Sequence, residues 1–390
     1  MKGYTIFLSA GEPSGDFLGS RLMKALKNQL GDKVSFIGVG GDLMTAEGLS
    51  SLFPIEELSI MGLAEVIPHI RRIRRRIQET VTAIETARPD IVVTIDAPGF
   101  NFRVGKALKK RLKSIPLVHY VAPSVWAWRP GRARTIAKFL DHLLVLFPFE
   151  PPYFLKEGLS TYFVGHPVVE LGMEKAKDPS FRARHNIPET APVLTLLPGS
   201  RRGELSRLLP VFQETTVQLQ KKYPDLHVVI PTLPHLKAQI LEQFTLPVTI
   251  VTTPCEKFAA YRESRAALAA SGTVSLELAA AGLPMVIAYK INPLTHFLVK
   301  SLVKVKYACL VNLLLNKEVV LERLQGDCTA EKLEMALGPF FQKDRMGEGG
   351  HDRLRGSMRE AIKMLEVPNY GTPSQCAARQ ICRVMRVSKG

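Results

Sequence analysis

Asp96 follows directly after the apolar run Ile91–Ile95, in the segment IDAPGFN. If that run is a strand of an open parallel sheet, its carboxyl end lies at the edge where such sheets bind their ligands. A carboxylate held there among apolar neighbours can take a proton from a substrate hydroxyl. An aspartate in this position also often caps the helix that follows. Asp96 is therefore a candidate general base, with a helix cap as the structural alternative.

Arg201 lies in the segment LPGSRRGE, which leads from the apolar run Val193–Leu197 into a helical pattern. The amino terminus of a helix contributes ~0.3–1 kcal/mol per anionic contact, and a guanidinium adds a bidentate clamp. With Gly199, Ser200 and Glu204 in the same turn, the segment suits a diphosphate. The alternative is a pair of exposed arginines on a connecting loop.

Two further turns have the same form of strand end, glycine and helix start. AGEPSGD holds Gly11 and Ser14, and its backbone N–H groups could face an anion or a sugar hydroxyl. ASGTVSLE holds Gly272 and Thr273, with Glu277 one helical turn on, a geometry suited to phosphate and ribose hydroxyls. Neither turn matches the dinucleotide or P-loop fingerprint. A purely structural turn is the alternative for the first of them.

The segment SVWAWRPGRAR, residues 124–134, holds both tryptophans of the chain and three arginines directly after a predicted strand. Aromatic rings interleaved with bases suit stacking or cation–π contact with a ligand, and they also suit single-stranded nucleic acid. Burial of one tryptophan in the core is the structural alternative.

A helix predicted over Leu63–Ile84 is amphipathic and carries many arginines. At 100° per residue its apolar side chains from Ile70 to Ile84 fall within a stripe of about 80°, with the arginines on the remaining surface. Such a helix either packs on the core with solvated arginines or attaches to anionic lipid, where each base contributes roughly 1 kcal/mol. The membrane-facing residues predicted by the second interpretation are Met61, Leu63, Val66, Ile67, Arg71, Arg72, Arg74 and Arg75.

The elements that must position these residues repeat one order, strand, loop and helix, from Tyr4 and again from Val193. Apolar runs alternate with helical stretches after both starts, as a doubly wound parallel sheet requires. The predicted strands are Tyr4–Ser9, Val34–Val39, Ile91–Ile95, Leu117–Val121, Leu143–Phe147, Val193–Leu197, His227–Ile230, Val248–Val251, Ala266–Ala270 and Met285–Tyr289. The sequence therefore predicts an α/β protein of two Rossmann-like lobes with a cleft between them. We expect residues 1–166 and 167–365 to form the lobes, and a helix within 366–390 to pack back on the first.

The composition is that of a folded protein, and 390 residues exceed what one core usually supports. Because there is no apolar run of about eighteen residues and the cysteines are scattered, we expect a cytoplasmic chain with reduced thiols. The net charge of +16 favours an anionic partner. Residues 97–140 contain no acid and ten bases: Arg103, Lys106, Lys109, Lys110, Arg111, Lys113, Arg129, Arg132, Arg134 and Lys138.

Eight segments together resemble the lipid-A-disaccharide synthases, in the same order and over about the first 315 residues: AGEPSGD, IMGLAEVI, IDAPGFN, YVAPSVWAWR, FPFE, FVGHP, LLPGSRRGE and SGTVSLE. The resemblance implies an inverting glycosyltransferase of the GT-B fold that uses no metal and no cofactor. Such an enzyme joins UDP-2,3-diacylglucosamine to 2,3-diacylglucosamine 1-phosphate, giving a β-1,6 disaccharide and UDP. It also implies a peripheral position on the inner face of the inner membrane of a diderm bacterium.

The resemblance assigns roles to individual residues. Asp96 matches the base of the family and Arg201 an arginine needed for activity, while Gly272–Thr273, Glu277 and Asn312 match the nucleotide side. The first lobe would then face the acceptor and the membrane, and the second would bind the UDP-sugar. The chain departs from the family pattern DAPDFN at Gly99, and it reads CLVN where relatives tend to read SLPN.

Two rival functions have distinct requirements. A UDP-sugar 2-epimerase shares the two-lobed fold but would need neither an acceptor nor a lipid-facing helix. A nucleic-acid-binding protein would explain the basic charge, yet the sequence contains no known reader motif, and we expect no nucleic acid partner. The oligomeric state, a homodimer included, is left open by the sequence.

Overall fold

The computed structural model describes residues 3–58, 70–173, 178–292, 305–342 and 348–387. The chain divides into two compact units. Unit 1 comprises Met1–Glu170 and Leu365–Gly390, and unit 2 comprises Leu171–Met364. Each unit is a parallel sheet with flanking helices, so the α/β prediction is confirmed.

Unit 1 contains a seven-stranded sheet in the order β3-β2-β1-β4-β5-β6-β7. Its strands are β1 (Tyr4–Ala10), β2 (Val34–Val39), β3 (Ser50–Ser51), β4 (Ile91–Ile95), β5 (Leu117–Tyr120), β6 (His142–Val145) and β7 (Ser160–Phe163). Its helices are α1 (Pro13–Leu30), α2 (Asp42–Ala46), α3 (Ile70–Ala87), α4 (Pro98–Arg111), α5 (Arg132–Ile136), α6 (Pro151–Leu155) and, from the end of the chain, α15 (Pro373–Val387).

Unit 2 contains a six-stranded sheet in the order β10-β9-β8-β11-β12-β13. Its strands are β8 (Val193–Leu197), β9 (His227–Pro231), β10 (Thr249–Val251), β11 (Ala266–Ala270), β12 (Met285–Tyr289) and β13 (Leu321–Leu324). Its helices are α7 (Phe181–Arg184), α8 (Arg202–Lys222), α9 (Lys237–Gln243), α10 (Pro254–Glu263), α11 (Val274–Ala280), α12 (Leu310–Leu315), α13 (Ala330–Leu337) and α14 (Glu348–Lys363).

The central strands are mostly apolar because helices cover both faces of a parallel sheet. All five residues of β4, β8 and β11 are buried. The strand order reverses between β1 and β4 in unit 1 and between β8 and β11 in unit 2. Ligands of open α/β sheets bind beside such a reversal, at the carboxyl ends of the strands. Both reversals therefore mark candidate sites.

Two helices of unit 1 correspond to segments predicted to be helical. The C-terminal helix α15 packs against α1 within this unit. The described part of the predicted amphipathic helix is α3, and Val81 and Ile84 on its apolar stripe are buried in the core of the unit. The predicted start of that helix lies outside the described residues.

Candidate functional site

Asp96 stands at the carboxyl end of β4, beside the reversal of strand order in unit 1. Its backbone is left-handed, with φ of +50°, and so is that of Ala97, with φ of +43°. Non-glycine residues in this conformation are uncommon and concentrate at functional sites. The N-cap of α4 is Ala97, and within the part of the chain that the structure describes no side chain caps that helix end. The helix-cap alternative for Asp96 is therefore wrong.

The Asp96 carboxylate accepts a hydrogen bond from the Ser14 hydroxyl, with Oγ to Oδ2 at 3.3 Å. Ser14 is exposed and Asp96 is partly buried, so the pair lies at the surface of unit 1. Burial raises the pKa of Asp96 above its ordinary value, against the opposing effect of hydrogen bonds from the Ala97 backbone and Ser14. A carboxylate with a raised pKa is a stronger base.

Asn101 holds the turn that carries Asp96. Its amide nitrogen donates to the carbonyl oxygens of Ser9, Ile95 and Asp96 at 3.2, 3.1 and 2.9 Å. The Ser9 hydroxyl in turn donates to the Asn101 side-chain oxygen at 2.7 Å. Sequence reasoning missed this role, although Asn101 is the last residue of the IDAPGFN segment. The buried amide ties the ends of β1 and β4 together behind Asp96.

A close contact requires glycine at position 11, whereas position 99 has room for a side chain. A Cβ on Gly11 would lie 2.6 Å from the Cβ of Ala97, so the two loops approach closely only because residue 11 has no side chain. Around Gly99, by contrast, an added Cβ meets no atom within 4 Å. The departure from the family pattern at Gly99 therefore leaves every described contact of Asp96 in place.

Unit 2 contains a cavity of about 520 Å³ at the carboxyl ends of its strands. This volume lies within the range of small-molecule sites. The lining is drawn from the carboxyl ends of five strands, β8 to β12, and from the segments that follow the first four of them. Among the predicted residues it includes Gly199, Ser200, Arg201, Glu204, Gly272, Thr273 and Glu277. Two motifs about 70 residues apart in sequence thus line one cavity.

The turn before α8 is shaped by Gly199 and Glu204. Gly199 has φ of +122°, and a Cβ there would lie 2.6 Å from Glu204 Oε2. Glu204 Oε2 accepts the Ser200 N–H at 3.1 Å, and Glu204 Oε1 lies 3.7 Å from Arg201 Nη1. Arg201 is the N-cap of α8, and the first N–H groups of a helix have no partner within it. The turn therefore presents a guanidinium and a helix amino terminus to the cavity.

Glu277 is held from α10 by two side chains that sequence reasoning missed. Lys257 Nζ lies 2.9 Å from Glu277 Oε2, and the Tyr261 hydroxyl donates to the same oxygen at 3.1 Å. Tyr261 is buried, and this burial raises its pKa, so its hydroxyl remains a donor. In the sequence, the four-residue spacing of Lys257 and Tyr261 indicates only that both lie on one face of a helix, and it does not point to a functional site. Lys257 and Tyr261 also line the cavity.

Asn312 is the predicted nucleotide residue that the structure does not bring to the cavity. It is fully buried, its side-chain oxygen accepts the N–H groups of Val319 and Val320, and its amide donates to Val320 O and Glu322 Oε1. The cavity lining of the described residues does not include it. Asn312 joins α12 to the edge strand β13.

The arginines of α3 fall into two groups. Arg76 is paired with Glu57 at 2.5 Å and with Glu79 at 2.7 Å, and its hydrogen bond lowers the pKa of Glu57. Arg71, Arg74 and Arg75 are exposed, and Arg72 is half-buried. Met61, Leu63, Val66 and Ile67 lie outside the described residues. The predicted membrane face can therefore be located only at its arginines.

Some bases of the predicted cationic stretch, residues 97–140, also form ion pairs within unit 1. Lys109 pairs with Asp141 at 2.6 Å and Arg111 pairs with Glu85 at 3.2 Å.

Across the described ranges, His, Cys, Asp and Glu side chains form no group of three or more that could hold a metal ion. In the same ranges, no helix has the length and apolar character needed to cross a membrane.

Comparison with known proteins gives a match along most of the chain. A family model described as lipid-A-disaccharide synthetase matches residues 6–363. A lipid-A-disaccharide synthase of Rhodospirillum centenum is 51% identical over 340 residues, covering 86% of this chain and 85% of the relative. One of Gluconobacter oxydans is 43% identical over 382 residues, covering 97% and 90%.

Solved structures share the fold at low sequence identity. A UDP-GlcNAc 2-epimerase from Neisseria meningitidis bound to UDP-GlcNAc has a TM-score of 0.64 at 13% identity, covering 98% of this chain and all of that one. A glycosyltransferase from Rickettsia africae has a TM-score of 0.60 at 13% identity, covering 100% and 99%. The predicted GT-B class is confirmed, and these neighbours carry no further argument.

Proposed function

The chain belongs to the lipid-A-disaccharide synthase family, and from that premise we propose that it transfers 2,3-diacylglucosamine from UDP to the 6-hydroxyl of 2,3-diacylglucosamine 1-phosphate. The products are a β-1,6 disaccharide 1-phosphate and UDP. We assign the acceptor to unit 1, through Asp96 and Ser14, and the UDP-sugar to the unit 2 cavity.

The observation that carries the proposal is the composition of the unit 2 cavity. Its lining holds two cations, Arg201 and Lys257, together with the amino terminus of α8. Fixed positive groups of this kind stabilise the negative charge that develops on a departing diphosphate. Glu277, held by Lys257 and Tyr261, supplies a carboxylate that can accept ribose hydroxyls. Donor binding and leaving-group stabilisation are thus assigned to one cavity.

The proposed reaction is a single displacement. Asp96 takes the proton of the acceptor 6-hydroxyl while its oxygen attacks the anomeric carbon, and UDP leaves with the electrons of the broken bond. Ser14 keeps the Asp96 carboxylate oriented by its hydrogen bond. A single attack from the face opposite the leaving group inverts the anomeric centre, which gives a β linkage from an α-linked donor.

The product tests the proposal. Incubation of the protein with both acylated sugars in nonionic micelles is expected to give a disaccharide whose proton coupling constants report a β-1,6 linkage. An α linkage would contradict the single displacement. Conversion of the UDP-sugar donor to its 2-epimer in the absence of acceptor would instead support the function of a UDP-sugar 2-epimerase, an enzyme class that shares this fold.

We further propose that unit 1 binds the anionic inner face of the inner membrane through α3. Arg71, Arg74 and Arg75 are exposed on this helix and take part in no ion pair within the described part of the chain. Each base near an anionic surface contributes about 1 kcal/mol. Attachment there would bring both acylated substrates to the enzyme from the bilayer in which they reside.

Replacing Arg71, Arg74 and Arg75 together with Gln is expected to weaken sedimentation with anionic vesicles by about 10²-fold at low salt, from the loss of about 3 kcal/mol. The matched control removes three exposed bases of unit 2, through Lys221→Gln, Lys237→Gln and Arg359→Gln. Wild-type binding should fall as salt is added. Sedimentation of the α3 variant at the wild-type level, or equal loss in the control, would contradict the assignment.

A further inference from the structure

Two motifs noted in the sequence, FPFE and SVWAWRPGRAR, have no part in the mechanism above, and the structure joins them. Glu150 is buried, with 2% of its surface exposed. Its Oε1 accepts the indole N–H of Trp126 at 3.1 Å, and its Oε2 accepts the N–H groups of Leu146 and Phe147 at 3.1 and 3.0 Å. The carboxylate therefore connects the turn after β6 to the loop after β5.

The Trp126 ring is fixed on its other sides by aromatic contacts. It meets Phe149 edge-on at 5.3 Å between ring centroids and Phe147 edge-on at 6.3 Å. Burial raises the pKa of Glu150 to about 7, against the effect of its three hydrogen bonds. Burying a carboxyl group is unfavourable unless its hydrogen bonds are satisfied. The three N–H donors meet that requirement, and the donor from Trp126 anchors the loop after β5 to the buried carboxylate.

This loop carries an exposed pair, Trp128 and Arg129. Trp128 has 39% of its surface exposed, and the guanidinium carbon of Arg129 lies 4.5 Å from the centroid of its ring. Arg129 adopts a left-handed backbone with φ of +52°. Over the ranges that the structure describes, Arg129 takes part in no ion pair, and residues 97–140 contain no acid. Its guanidinium thus lies against the indole ring and has no ion-pair partner among the described residues.

The position of the loop favours the acceptor over the donor. It follows β5, which pairs with β4, and Ile95 beside Asp96 lies in register with Tyr120 at the end of β5. The loop and Asp96 therefore leave the same edge of the unit 1 sheet. The cations assigned to the donor diphosphate, Arg201 and Lys257, belong to unit 2. The acceptor of the proposed reaction is itself a phosphate monoester.

We propose that Arg129, held against Trp128, binds the phosphate group of the acceptor sugar, and that Glu150 is the positioning residue of this site. The inference rests on the proposed function for the identity of the ligand. A guanidinium binds phosphate through two parallel N–H donors, and the indole ring restricts its orientation before the ligand arrives.

The test compares two acceptors, 2,3-diacylglucosamine with and without its 1-phosphate, in nonionic micelles free of anionic lipid. Arg129→Met is expected to lower kcat/KM for the phosphorylated acceptor by about 10- to 100-fold, the equivalent of one charge-assisted contact, and to leave the other acceptor unchanged. Arg134→Met removes an exposed arginine from the same segment and is the control. An unchanged preference in Arg129→Met, or equal loss in the control, would overturn the proposal.

The positioning role of Glu150 is tested with Glu150→Gln and Trp126→Phe. Trp126→Phe removes the hydrogen bond between the two side chains and keeps an aromatic ring in place, whereas Glu150→Gln leaves one acceptor oxygen for donors that now approach two. Each is expected to raise KM for the phosphorylated acceptor severalfold with KM for the donor near wild type, and to lower the unfolding midpoint because a buried hydrogen bond is lost. A general loss with both acceptors would indicate a structural role only, and would overturn the assignment.

Two controls separate this inference from other outcomes. If Arg129→Met weakened binding to anionic vesicles without changing acceptor preference, the phosphate would be that of a lipid headgroup and the proposal would be wrong. If the wild type made no disaccharide, the proposed function would be wrong. Tryptophan fluorescence would then test phosphate binding at Arg129 independently of catalysis. Glucosamine 1-phosphate, but not glucosamine, should then perturb tryptophan emission in the wild type and not in Arg129→Met.

Discussion

The Asp96→Asn variant is expected to turn over about 10²- to 10⁴-fold more slowly than the wild type, the usual contribution of a general base. The amide keeps the size of the side chain and can still accept the Ser14 hydroxyl, so the turn after β4 should be preserved. What the amide cannot do is take the proton of the acceptor hydroxyl. Disaccharide formation under saturating substrates gives the measurement.

The pH profile supplies the second part of this prediction. Burial raises the pKa of Asp96 above its ordinary value, and the base acts only when it is ionised. Activity should therefore be present above that pKa and be lost as the pH falls through it. In Asp96→Asn the residual activity should not show this acid limb.

The control for Asp96 is Asp32→Asn, which changes an exposed aspartate of the same unit. Unfolding midpoints and affinity for UDP should be close to wild type in both variants, since the UDP cavity is assigned to unit 2. Near-wild-type turnover in a folded Asp96→Asn protein would remove Asp96 from the role of base.

The Arg201→Met variant is expected to lose about 10²- to 10³-fold in kcat, the effect of removing one preorganised group that stabilises developing charge. Arg201 is well placed for that role because 64% of its side chain is exposed and it lines the cavity at the start of α8. Its weak contact with Glu204, at 3.7 Å, leaves the guanidinium able to bind phosphate. Methionine keeps the length of the side chain without its charge.

Arg202→Met is the matched control, because Arg202 is the next residue, is exposed, and is absent from the cavity lining. A fall in kcat confined to Arg201→Met would assign the interaction to the transition state. A rise in KM alone, with kcat unchanged, would mean that Arg201 binds substrate and transition state equally. Equal losses in both variants would contradict a specific role for Arg201.

The strands that sequence patterns located best are those inside the sheets. Ile91–Ile95, Val193–Leu197 and Ala266–Ala270 were predicted with the observed bounds, because strands buried on both faces are continuous apolar runs. The three strands not predicted, β3, β7 and β13, are all at sheet edges. An edge strand such as Leu321–Leu324 includes charged side chains, so its sequence carries no such run.

The candidate site was predictable where a residue belonged to a strand-end turn. Asp96, Gly199, Arg201 and Glu277 follow apolar runs, and parallel topology then places strand ends at one edge. Lys257 and Glu150 were not predictable in this way, because their partners are distant in sequence and only the fold brings them together. Asn312, assigned by resemblance to the nucleotide side, instead bonds backbone groups of Val319 and Val320, just before β13, and the Glu322 side chain within it.

The most direct test of the account is UDP release measured with each substrate alone and with both together. UDP is expected to form only when UDP-2,3-diacylglucosamine and 2,3-diacylglucosamine 1-phosphate are both present, in one-to-one ratio with the disaccharide. UDP release at the same rate without the acceptor, or isomerisation of the donor without any disaccharide, would contradict it.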